Sequence, residues 1–437
     1  MSPLRSAVDF LESEMNDTPS EGDDSRLLRP SLLWSSLRYR EFAVYIGMVF
    51  LTMTGYWMRQ AQNLYQVYEL SGSTFQLGMT GLAQAIPMFA LGLFGGTLAD
   101  LVDRRKLIQL AILGNFLVAA ALGVVTITGN VQVWHIIVGT SLTSVLNVVL
   151  TPARMAMIAR LVPTSHLMNA VSMNSSVSQS GHILGPMLAG LAIAWSDAGH
   201  AYLVNALLYV PAEAAMLLLR TSGEPSRPRE AVSLNSLLAG VQFMRKQRVI
   251  LALSLMDFAI IGVGYYQSLL PVFAKDIYHV GPAAFGLLAS APAAGGIIGI
   301  LALLVAGDIK RKGLVALWAF LSFSSCLAVF ALTRNFSLGL LLVVALGITN
   351  SLQAVIRHTA FQVLTPDHLR GRTFAVFTMF AQGVGSFGAM QVGFMASLLG
   401  APGALLLGSF LGVVLTLTFW IGWPEVRRFG IGRGSVE

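Results

Sequence analysis

The chain has 437 residues, of which 55% are hydrophobic and only 11% charged, and its mean hydropathy is +0.70. Soluble domains carry about 25% charged residues, so too few charges remain to cover a water-exposed surface, and a soluble enzyme is excluded. Glycine is frequent (43) without a period and proline is modest (16), which excludes collagen, and a net charge of +7 leaves nucleic acid as a partner to be tested against where the charges lie.

Residues 1–40 carry Asp9, Glu12, Glu14, Asp17, Glu21, Asp23 and Asp24 and read as an acidic, disordered tail. They lack the basic start and apolar stretch of a secretory signal. Twelve mostly apolar runs follow, at 42–68, 75–99, 107–128, 131–152, 168–195, 201–219, 249–274, 283–306, 313–333, 336–356, 373–399 and 402–423. Each is close to the roughly 20 residues that span a bilayer core as a helix. None alternates polar and apolar as a barrel strand does. The longest polar loop, 221–248, divides six runs from six, and its second part, Leu234 to Val249, suits a short interfacial helix.

The basic residues orient the runs. All but three of the 28 Lys and Arg lie before run 1, after runs 2, 4, 6, 8 and 10, or after run 12; the exceptions are Arg59, Lys275 and Arg334. Basic residues accumulate on the cytoplasmic side, so both termini are expected there. Spread over many short loops, the positive charge forms no single face for nucleic acid.

The two sets of six runs match. Arg154, Leu161, Pro163, Gly185, Met187 and Gly190 recur 203 positions later as Arg357, Leu364, Pro366, Gly388, Met390 and Gly393. In transporters built from such parallel repeats, the substrate site lies near the midplane between the halves.

The loop after run 2 holds Gly96, Asp100, Arg104 and Arg105. A carboxylate at a helix end accepts hydrogen bonds from an arginine or a helix N-terminus, which suits a latch on the cytoplasmic side. This spacing resembles the signature of the major facilitator superfamily, although Leu101 and Asp103 stand where members often have a basic residue and a glycine. A degraded copy follows in Gly307, Asp308, Lys310 and Arg311. Run 5 carries Gly181, Gly185, Pro186 and Gly190, which resembles the superfamily's antiporter motif with Ala189 replacing one glycine. Small residues four apart let helix backbones approach, and proline bends a helix. The stretch Tyr68-Glu69-Leu70-Ser71-Gly72-Ser73 resembles a turn of the bacterial exporter branch that includes the enterobactin exporter and macrolide efflux proteins. The resemblance covers nearly all of the chain after residue 35 and implies proton-coupled export.

Ionisable groups inside spans cost about 2.5–3.5 kcal/mol each on insertion scales, so they mark function or pairing. In run 1, Tyr56, Arg59, Gln60 and Asn63 share a helix face, and a polar stripe of that width suits a water-filled cavity; an arginine reaching the outer interface is the other reading. Asp257 is the most deeply placed carboxylate, roughly 12 Å into run 7 at 1.5 Å per residue. It is the first candidate for proton coupling, or else a structural partner for Arg59 or a helix end. Glu213 and His182 are further candidates; a structural ion pair and a neutral, hydrogen-bonded histidine are the corresponding alternatives. Trp57, Tyr265, Tyr266 and Gln267 complete a broad aromatic, amide-rich substrate cavity.

Cys326 is the single cysteine and has no intramolecular disulfide partner. No Cys/His spacing suits a metal. There is no phosphate-binding Gly-x-x-x-x-Gly-Lys loop and no hydrolase motif, so neither a cofactor nor an enzymatic activity is expected.

The chain therefore reads as an all-α polytopic membrane protein with twelve transmembrane helices in two pseudo-symmetric six-helix bundles. The bundles span 41–220 and 249–423, with linker 221–248 and C-tail 424–437. The expected function is secondary transport in the cell inner membrane by a monomer, with an amphipathic drug- or siderophore-like molecule and protons as partners. Uptake of a neutral solute and a non-transporting sensor are the alternatives.

Overall fold

The structure, a computed structural model, describes residues 35–221, 223, 234–307 and 309–430. Side-chain surroundings of 92–101, 234–237, 367–368, 375 and 382 lie outside that description. So do most of the acidic tail, Asp308, the linker stretch 224–233 and residues 431–437.

Among the described residues there is no strand. The first half comprises α1 (Arg40–Ser71), α2 (Thr74–Leu101), α3 (Arg104–Ile127), α4 (Val133–Leu161), α5 (Leu167–Trp195) and α6 (Ala198–Leu218). A short helix, α7 (Leu234–Lys246), leads to the second half: α8 (Arg248–Val263), α9 (Pro282–Ala306), α10 (Lys312–Leu332), α11 (Phe336–Leu364) and α12 (Asp367–Gly422), followed by α13 (Pro424–Arg428). Eight helical stretches among the described residues are long and apolar enough to cross a membrane, so this is a multi-pass membrane protein. The long α1 and α5 fall outside that set because each carries a polar stretch, Arg59 to Gln66 in α1 and Asn174 to Ser180 in α5.

Local chemistry sets the helix ends. Gly72 takes a left-handed conformation (φ 59°) and its N–H bonds the Tyr68 carbonyl, closing α1. Asp103 caps α3 by accepting from the Arg105 N–H at 2.8 Å. Asp197 and Asn335 cap α6 and α11 in the same way.

Three expected spans need correction. The runs at 131–152 and 336–356 continue as helix to Leu161 and Leu364, because each helix carries an arginine, Arg154 or Arg357, buried inside the protein. The run at 249–274 is not one helix. It stops at Val263, and Gly264 and Tyr265 pass the chain into a short 3₁₀ and π-helical segment, 266–277. The last two runs stay two helices within α12, parted at Gly400, where the backbone leaves the helical conformation (φ 74°).

The helices alternate direction. The near end holds the start of α1 and the end of α6; the far end holds Gly72 and the start of α2. At the near end, Glu41 accepts from the Thr221 N–H at 3.1 Å and from its hydroxyl, while the Arg104 N–H donates to the Gly223 carbonyl at 3.1 Å. At the equivalent place in the second half, Arg248 pairs with Glu425 at 2.8 Å.

The apolar core shows how the halves meet. One cluster runs through the second half and continues into the far end of the first, through Met58, Val67, Tyr68, Leu77 and Ala189. The near end of the first half has its own separate cluster, from Phe42 and Ile108 to Met157 and Met216. The halves thus share a core toward the far end and keep separate cores toward the near end.

Candidate transport site

Glycines decide where helices approach. A Cβ at Gly181 or Gly185 of α5 would meet α1 backbone at Thr54 or Met58, at 2.8 and 2.6 Å. A Cβ on Gly190, one turn on, would meet the Pro282 carbonyl of α9 at 2.4 Å and the Gly286 Cα at 2.8 Å. The second half repeats this. A Cβ on Gly388 would strike the Ile261 carbonyl of α8 at 2.5 Å, and one on Gly393 the Thr74 carbonyl of α2 at 2.6 Å. The first glycine of each pair packs its helix within its own half. The second packs the same helix against the other half. The repeat read from sequence is therefore a repeat of contact geometry.

Other cross-half contacts lie at the far end or the middle. The Tyr68 hydroxyl donates to Asp276, a carboxylate beyond the broken helix. Gln179 Nε2 donates to the Ala293 carbonyl at 3.3 Å. Aromatic rings cluster on α1 and α5 of the first half and just after α8 of the second. His182 stacks on Trp57 at 3.7 Å between centroids, and Tyr56 meets Trp57 edge-on at 5.3 Å. Tyr265 lies against Gly385, 3.7 Å from the position its Cβ would take. Tyr56, Trp57, Gln60, His182, Tyr265 and Gln267 are all half-buried.

The other expected cavity residues sit elsewhere. Arg59 is 1% exposed; its guanidinium donates to the Asn115 carbonyl at 2.9 Å and to the Asn115 side-chain oxygen, with the Tyr209 ring 5.7 Å away. Asn63 is held by Thr140 at 3.0 Å and by the Tyr202 hydroxyl at 2.8 Å. Gln62 and Gln66 continue the stripe, donating to the Ala201 carbonyl at 2.8 Å and to Thr126 at 3.0 Å. The stripe of α1 that enters the first half is thus Arg59, Gln62, Asn63 and Gln66, at helical spacing i, i+3, i+4, i+7. It ties α1 to α3, α4 and α6. Beside it lies a water-sized cavity between Thr52, Tyr56, Asn115, Asn147 and Tyr209. Tyr266 is buried against Phe323 and Phe330 of α10.

Asp257 has a partner that the sequence reading used only as a repeat marker. Arg357 Nη1 of α11 lies 2.5 Å from Asp257 Oδ1, and the two side chains are 10% and 3% exposed. The guanidinium also sits 4.6 Å over the Phe377 ring of α12. The second carboxylate oxygen, Asp257 Oδ2, has no hydrogen-bond partner among the described residues. Neither His182 nor Glu213 joins this pair. His182 belongs to the aromatic wall of the first half, and Glu213 is half-buried on α6 with one carboxylate oxygen unpartnered. The three expected proton-handling residues therefore do not form one cluster. At the near end, the Arg104 N–H bonds the Gly223 carbonyl, and Arg105 Nη2 donates to the Leu217 carbonyl at the end of α6, at 3.1 Å. The side chains of Gly96 and Asp100 lie outside the described residues, and the latch expected with them remains an expectation.

Two repeated helical halves that pack on each other through paired glycines in a multi-pass membrane protein are the architecture of a major facilitator transporter. The chain belongs to the transmembrane secretion effector family, which it matches over residues 31–426. Its family is one of transporters, not enzymes. It is 24% identical over 376 residues to the staphyloferrin A transporter of Staphylococcus aureus, covering 85% of this chain and 93% of that one. It is 25% identical over 377 residues to the enterobactin exporter EntS of Citrobacter koseri, covering 83% and 87%. Among solved structures, a bacterial homolog of the human lysosomal transporter Spinster, inward-facing and occupied, superposes with a TM-score of 0.70 at 14% identity, covering 89% of this chain and 98% of that one. A POT family transporter in complex with 5-aminolevulinic acid gives 0.71 at 11% identity, covering 89% and 96%. These structures share the fold.

Proposed function

We propose that this protein exports an amphipathic, siderophore-like molecule across the inner membrane in exchange for protons. Twelve membrane crossings, in bundles 41–220 and 249–423, put both termini and the linker 221–248 in the cytoplasm. The near end is then the cytoplasmic one, and its separate apolar cores suit a crevice open to that side. The observation that carries the reading is the paired use of Gly190 on Gly286 and Gly393 on Gly78, symmetry-related contacts that join the halves around one crevice. Such contacts let one half rock against the other without breaking either bundle. Tyr56, Trp57, Gln60, His182, Tyr265 and Gln267 supply the broad apolar wall with few charges that permissive recognition needs. The siderophore-like substrate follows from the relatives' names.

Asp257 and Arg357 are the coupling pair in this reading. A proton arriving at Oδ2, the oxygen not engaged by Arg357, neutralises the carboxylate and weakens its hold on the guanidinium. That links protonation to the packing of α8 against α11. The test is efflux from proteoliposomes of a siderophore and dye panel under an imposed pH gradient, with and without a protonophore. Gradient-dependent efflux that disappears in Asp257→Asn is expected. Efflux indifferent to the gradient sinks proton coupling, and no movement of any compound sinks export.

A further inference from the structure

The repeat also exposes a charge that the second half balances and the first half does not. An offset of 203 positions relates Arg154 to Arg357, Thr54 to Asp257 and Asn174 to Phe377. In the second half these positions form a closed set, with Arg357 bonded to Asp257 and lying over Phe377. In the first half the same places hold an arginine, a hydroxyl and an amide. All three are buried, with Arg154 8%, Thr54 2% and Asn174 5% exposed. Among the described residues Arg154 Nη2 reaches only the Met53 sulfur, at 3.7 Å, and its Nε and Nη1 have no hydrogen-bond partner. Among the same residues Thr54 Oγ1 and Asn174 Oδ1 are also unpartnered, and Asn174 Nδ2 has only the Met155 sulfur, at 4.0 Å. Among the described residues no carboxylate pairs with Arg154 or with Arg59, the other buried cation of this half. Arg59 at least has its nitrogens satisfied by Asn115.

A buried guanidinium without a counter-charge is costly. Its fork of donors matches a carboxylate in two-point geometry. Arg154 stands on α4, Thr54 on α1 and Asn174 on α5. Arg154 is about two turns from the near end of α4, beside the separate core of that end.

We propose that Arg154, with Thr54 donating through its hydroxyl, is the subsite for a carboxylate of the transported molecule. The substrate then supplies in the first half the counter-charge that Asp257 supplies in the second. This rests on the export reading above and adds to it a substrate class: a molecule with an apolar or aromatic body for the Trp57–His182 wall and at least one carboxylate.

The test uses the purified full chain in lipid nanodiscs, titrated calorimetrically with 1-naphthoate, its methyl ester and chloride. Wild type is expected to bind naphthoate at least tenfold more tightly than the ester. Arg154→Gln should erase that preference, and Arg154→Lys should restore part of it. Thr54→Asp copies the second half's arrangement into the first; it should fold at least as stably as wild type and lose naphthoate binding at least tenfold. Equal binding of acid and ester overturns the proposal, as does naphthoate binding that survives Thr54→Asp, or chloride that competes as strongly as naphthoate. Energised efflux of the neutral dye Nile red from cells runs in parallel. If Nile red is exported and the acid preference is absent, the subsite fails while export stands. If neither compound binds nor moves, export itself fails and takes the subsite with it.

Discussion

Asp257→Asn keeps the shape of the side chain and removes its charge. Arg357, 10% exposed, is then left inside the second half without a counter-ion. Breaking one partner of a buried pair costs about 3–5 kcal/mol, because the remaining charge stays desolvated. The Phe377 ring, 4.6 Å from the guanidinium, is already in place in the wild type and does not offset this. A loss of roughly 3–5 kcal/mol is expected. Removing both charges, in Asp257→Leu with Arg357→Met, is expected to cost less than either single change, since an apolar pair of similar volume replaces a buried ion pair at little cost. The assay is reversible unfolding of the purified protein in mild detergent, run as a double-mutant cycle. A coupling of at least about 2 kcal/mol is predicted. Additive single and double variants, with Asp257→Asn as stable as wild type, would refute the reasoning. The double variant should also fail to transport despite its stability, which separates coupling from folding.

Asn115→Ala removes the partner of a buried guanidinium and should destabilise by about 2–3 kcal/mol, read in the same unfolding assay. Gly190→Ala and Gly393→Ala put a Cβ 2.4 and 2.6 Å from a backbone carbonyl across the halves. Both variants should insert in the membrane normally and transport at least tenfold more slowly in vesicles, since the far end no longer closes. Tyr68→Phe removes the hydrogen bond to Asp276 and should raise the labelling of a cysteine at position 265 from outside the cell. Asp197→Ala removes the α6 cap and should cost about 1 kcal/mol. The Asp197 carboxyl is held below its ordinary range, first by the His200 backbone N–H. Its contribution is therefore present above the usual carboxylate range and lost as pH falls through the lowered value; the difference between wild type and Asp197→Ala should shrink in acid.

Hydropathy located the helical runs because a span must be apolar along its length whatever its neighbours are. It failed where a charge is buried. Arg154 and Arg357 were read as loop residues because a basic residue after an apolar run looks like an anchor, and only packing shows that the helix continues past it. For the same reason Asp257 was found and its partner was not; the two are 100 residues apart in sequence and 2.5 Å apart in space. In α1 the polarity was legible and its direction was not. Tyr56 and Gln60 are half-buried, while Arg59 and Asn63 turn into the first half with Gln62 and Gln66. A count of amides at i, i+3, i+4, i+7 from Arg59 would have found that stripe. The break at Gly264 has no proline to announce it. The glycine pairs were legible from the repeat alone, because close backbone approach demands the same residue in both halves.

Alternating access requires the two halves to separate and meet at the near end. Spin labels on Ser172 of α5 and Ala302 of α9, both exposed, in a Cys326→Ser background, report that motion by pulsed electron resonance in liposomes. Two interconverting distances are predicted, the shorter one gaining population when the pH is changed and lost from that dependence in Asp257→Asn. A single distance, unmoved by pH or by any transported compound, contradicts alternating access in this protein.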